Sequence, residues 1–117
     1  MDRATATASL EVSCRKGSST PDFGAADRLE YLQAEQSQLL TLVIDPIAVM
    51  ARTSEWAKSH ADLQNPEYAM AAIAGVGESW LLYDTDTQLF SLACGSPASG
   101  LELVGFASTD ALFEWKG

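Results

Sequence analysis

The chain has 117 residues, 47% apolar and 20% charged, one domain's worth of ordinary globular composition that fits neither disorder, collagen nor coiled coil. Sixteen carboxylates against seven basic side chains leave a formal charge of −9, a sign that repels phosphate backbones and anionic lipid and argues against nucleic-acid and membrane partners. Two cysteines, Cys14 and Cys94, are too few for a disulfide framework, and neither a secretory start nor an apolar run of spanning length is seen, so the expectation is a single cytoplasmic domain over residues 1–117.

From Ala8 the chain alternates, with Ala8, Leu10, Val12 and Cys14 on one side and Ser9, Glu11, Ser13 and Arg15 on the other. A period of two predicts a half-buried strand, which the turn residues from Arg15 to Ser19 then end. Asp27-Arg28-Leu29-Glu30 reads as a capping box. Leu29, Leu32, Leu39, Leu40 and Val43 lie near one helical face and predict a helix ending near Leu42. The stretch Leu40 to Ile44 also suits a short buried strand, and its periodicity does not separate the two.

Asp45-Pro46 places an Asx cap before a proline at the first helical position, predicting a helix to about Asp62. Asn65-Pro66 repeats that signal and predicts a short helix from Glu67 to about Ala74, with Gly75 as its terminator. After Gly77 the runs at 80–83, 88–94 and 101–106 read as a three-strand antiparallel meander, and Ser108 is placed to cap a last helix over 109–115. The fold class that follows is α+β: an antiparallel sheet made of the N-terminal strand and the C-terminal three-strand meander, with three to four helices packed mainly on one face.

The motifs that would announce an enzyme are missing. A calcium loop beginning at Asp84 needs glycine sixth and glutamate twelfth, where the chain has Leu89 and Gly95. Asp84-Thr85-Asp86 therefore reads as a hairpin turn held by Asx-type bonds. Gly95 and Gly100 have the outer spacing of a phosphate loop, but Leu101-Glu102 replace the lysine and hydroxyl residue. Trp80 stands where Gly75-Val76-Gly77 would need its third glycine, and no Gly-x-Ser-x-Gly elbow exists. His60, Cys14 and Cys94 are too far apart in sequence for zinc-ligand spacing, and Cys14 reads as core packing. No metal, cofactor or catalytic residue is expected.

One polar-aromatic set is a candidate for ligand binding. Trp56 and His60 are a helical turn apart, Tyr68 opens the next segment, and Tyr83 and Asp84 would border the same space if that surface faced the sheet. His60 with a carboxylate would then also allow proton transfer. The charge distribution points elsewhere: residues 1–58 hold eight acids and six bases, whereas residues 59–117 hold eight acids and one base. A half that negative steers basic partners toward itself. The leading expectation is a small acidic, non-enzymatic interaction module with a basic protein partner, comparable in size and charge to inhibitors, immunity proteins and secretion chaperones. A homodimer formed through uncovered sheet edges is a further expectation. The alternative is a small-molecule binder or minor enzyme with a pocket between helices and sheet around His60.

Overall fold

The computed structural model describes residues 2–16, 27–53, 67–104 and 108–116. Their elements run α1 (Arg3–Arg15), α2 (Arg28–Thr41), β1 (Val43–Thr53), β2 (Glu67–Val76), β3 (Ser79–Asp84), β4 (Leu89–Ser96), β5 (Gly100–Leu103) and α3 (Ala111–Lys116). The class is α+β, with three helices and five strands among the described residues. Each strand is antiparallel to the next, and β5 returns beside β1 to close a barrel. An odd number of meandering strands leaves the closing pair parallel, and Ala51–Thr53 run alongside Leu101–Leu103 in that sense.

Three expectations are corrected. Residues 8–14 form part of α1 rather than a strand. Asp2 caps that helix, its carboxylate accepting the Thr5 N–H at 2.7 Å. The buried residues Ala6, Leu10 and Ser13 follow helical spacing, i, i+4, i+7. The segment after Pro46 is strand as far as Thr53, and Glu67–Val76 is strand throughout. Pro46 is tolerated because β1 bulges there: four steps along β1, from Val43 to Ile47, match two along β2, from Ala74 to Ala72. Gly75 terminates no helix; it leaves room for the Trp80 indole, its cross-strand partner.

Other expectations match the structure. The helix over Arg28–Thr41 is capped by Asp27, whose carboxylate accepts the Glu30 N–H at 3.0 Å, and it gives way at Leu42 to strand. The three C-terminal strands pair as a meander, and Asp84 holds the hairpin by accepting the Asp86 N–H at 2.9 Å. The last helix is a further correction: expected over 109–115 with Ser108 as cap, it runs Ala111–Lys116 with Asp110 as cap, accepting the Phe113 N–H at 3.0 Å.

The core divides into two parts because the barrel wall has two faces. Ala51, Ala72, Leu82, Ala93, Leu101 and Leu103 fill the interior, joined at its ends by Val49, Tyr68, Met70 and Trp80. A five-stranded barrel has a narrow lumen, which explains why half of those six buried positions are alanine. On the outer face Ile73, Ala74, Leu81, Tyr83 and Phe90 meet all three helices through Ala6, Leu10, Leu39, Ala111 and Leu112. A one-residue bulge in β2, where Ala72–Ala74 oppose Leu82–Leu81, lets Ala72 face inward and Ile73 and Ala74 outward. The helices are tied down by Lys116–Glu35 at 3.1 Å and by Arg3, which donates to the Val43 carbonyl at 2.9 Å. Among the described residues no helix is long and apolar enough to cross a membrane.

Candidate functional site

The helices cover only part of the barrel's outer wall. On β1 the outward positions are Pro46, Ala48, Met50 and Arg52; opposite them on β2 stand Ala71, Ala69 and Glu67, in the pairs Ala48–Ala71, Met50–Ala69 and Arg52–Glu67. Ala48, Met50 and Ala69 are exposed, Met50 to 53%. With Tyr83 and Thr85 of the neighbouring hairpin they line an open concavity of about 480 Å³. It is shallow, apolar along its floor and continuous with the helix-covered face through Ala71 and Tyr83. Other exposed apolar side chains, such as Leu29 and Phe113, sit on the helices and do not line this concavity.

Carboxylates stand next to this strip's residues in sequence: Asp45 precedes Pro46, Asp84 and Asp86 flank Thr85, and Glu67 opens β2. The one cation on the outward face of β1, Arg52, lies between Glu67 on β2 and Glu102 on β5. The strip is thus an apolar floor on an acidic chain, with Asp84 engaged by its own hairpin and no carboxylate among the described lining residues.

A second groove, of about 350 Å³, lies between α1 and the β3–β4 hairpin, with Tyr83 and Phe90 among its lining residues and their rings 5.0 Å apart. Its serine hydroxyls are already engaged. Ser9 donates to the Thr5 carbonyl at 3.0 Å, and Ser13 donates to the Thr109 carbonyl at 2.6 Å while accepting the Ala111 N–H at 2.9 Å. Beside that groove, burial and the nearby charges of Asp110 and Glu11 push the Cys14 thiol above its ordinary range, the direction opposite to that of a reactive thiolate. Among the described residues no three histidine, cysteine or acidic side chains gather as a metal site.

Of the five residues expected to share a pocket, Trp56 and His60 lie outside the described residues. Tyr68 packs with the barrel interior, whereas Tyr83 packs on the outer face beneath the helices, so the wall of the barrel separates the two. Asp84 remains beside Tyr83, but its carboxylate is engaged by the hairpin's own N–H groups. The strip residues Ala48, Met50 and Ala69 escaped sequence reasoning because a helical period was applied to them. Taken two by two, Pro46, Ala48 and Met50 fall on one face, and that alternation was the available signal.

Glu114 is the buried ionisable group of the helical layer. It is 4% exposed, and its burial, aided by the charge of Asp110, raises its pKa to about 7, against the hydrogen bond from Ser108. The folded protein therefore holds this proton more tightly than the unfolded chain does, and stability falls as pH climbs from the ordinary carboxyl range through about 7. Glu114→Gln is expected to flatten that dependence and to gain about 2 kcal/mol at pH 8, less than the full shift implies because buried carboxyls recruit water and relax. Urea unfolding of both proteins from about pH 5 to about pH 8 checks this; parallel pH profiles would show that Glu114 is not responsible.

Scanned against protein-family models, curated proteins and solved structures, the chain matches none.

Proposed function

We propose that the protein works by docking a basic protein partner on the exposed apolar strip of β1 and β2, as a non-enzymatic interaction module of the inhibitor, immunity or chaperone kind. The observation that carries this reading is the exposed, contiguous apolar floor of Ala48, Met50 and Ala69 on a chain of net charge −9. Apolar contact supplies affinity at such a surface, and the surrounding charge supplies speed and choice of partner. The closed barrel gives it a rigid base, because the interior behind it is packed by Ala51, Ala72 and Leu82.

Met50→Lys places a cation at the centre of the floor without touching the core. Affinity capture from the native host is expected to retain basic proteins on the wild type, to lose them between about 0.05 and about 0.5 M salt, and to retain few on the variant. Identical captures by the two proteins, or only salt-insensitive ones, would contradict the reading.

A further inference from the structure

We infer that the partner binds as an added strand: an extended, basic segment of another protein pairs with the open edge of β1. This rests on the docking reading and specifies its geometry. β1 spans 11 residues, yet β5 accompanies only Ala51–Thr53. From Ile44 to Met50 its strand neighbour among the described residues is β2 alone. The Val43 carbonyl at the start of this stretch is taken by Arg3 at 2.9 Å. Beyond it, Ile47 (42% exposed) and Ala48 are consecutive exposed residues that point to opposite faces. At Ile47 and Ala48 β1 is thus exposed on both faces, and among the described residues no strand pairs with its edge there.

An open strand edge offers N–H and C=O groups that only another extended backbone satisfies in register. A strand added there would lie beside Ala48 and Met50, and every second side chain would land on the apolar floor. The occupant is fixed by charge. A second copy would bring another −9, whereas a basic segment is drawn by the chain's negative charge and, lying along β1, comes beside the exposed Asp45. Pro46 has no N–H to donate to an added strand, so the pairing we infer runs along the residues after it.

The probe is a blocked peptide of alternating lysine and valine, with two N-methylated versions carrying the methyl groups on the valines alone or on the lysines alone. In an added strand only one of these sets of N–H groups faces β1. One methylated peptide is expected to bind about tenfold or more weakly than the parent, and the other to bind about equally. The parent should slow amide exchange between Ile47 and Met50, and an alternating glutamate–valine peptide should not bind. If both methylated peptides bind like the parent, strand addition is wrong; loss of parent binding in Met50→Lys then leaves the docking reading standing. Strand addition also fails if the parent does not bind, or if sedimentation shows the same amides protected by a second copy.

Discussion

Gly95→Ala is expected to cost roughly 3–5 kcal/mol, a large part of the total stability of a domain this size. Gly95 has φ +122°, a conformation that L side chains rarely adopt, and a Cβ there would run into the Gly100 carbonyl oxygen across the β4–β5 hairpin. Strain of that kind costs about 1–3 kcal/mol, and forcing an atom into occupied space adds a similar amount. The backbone of Gly95 also knots three parts of the barrel. Its N–H donates to the Glu78 carbonyl at 2.9 Å, and its carbonyl accepts the Trp80 indole N–H at 2.9 Å. A shift that relieves the clash disturbs both bonds. The neighbouring Cys94→Ala, at an exposed position, should change stability by no more than about 0.5 kcal/mol. Urea unfolding of the two variants provides the comparison, and similar midpoints would show that Gly95 is not a constrained position.

Ser13→Ala is expected to cost about 2–3 kcal/mol although it removes a single oxygen. Ser13 is 5% exposed, and its hydroxyl joins α1 to the start of α3, as donor to the Thr109 carbonyl and acceptor from the Ala111 N–H. Its loss leaves a buried N–H and a carbonyl without their partner, and unsatisfied buried groups cost more than an average hydrogen bond contributes. Ser9→Ala, one turn earlier, removes a hydroxyl bonded only within its own helix and should be close to neutral. Equal melting temperatures for the two variants would refute this role of Ser13.

Both positions bear on what the sequence made legible. The Ser13 bridge spans about a hundred residues of chain, and nothing local to Ser13 announces it. Local signals succeeded where local chemistry decides. The Asp27–Glu30 box starts α2, and the aromatic runs with intervening turns give β3, β4 and β5. They failed where tertiary closure decides. Asp45-Pro46 resembles a helix start, but here the proline occupies a bulge in a strand whose neighbour is supplied by distant residues. The alanines between Tyr68 and Ala74 have helical propensity, yet the narrow barrel selects small side chains for its wall. In α1 the alternation from Ala8 to Cys14 shares only Leu10 with the buried helical stripe Ala6, Leu10 and Ser13, and Ala8 and Val12 are exposed. The net negative charge is legible in composition; the apolar floor of Ala48, Met50 and Ala69 depends on β1 and β2 being strands.

The location of the docking surface is tested most directly by mapping backbone amide shifts when a captured basic partner, or the alternating lysine–valine peptide, is added to the labelled protein. Perturbations should concentrate at residues 47–50, 69–71 and 83–86 and weaken as salt is raised. Shifts confined to the exposed faces of α1 and α2, with β1 and β2 silent, would place the interaction elsewhere and contradict the docking of a basic partner on the strip.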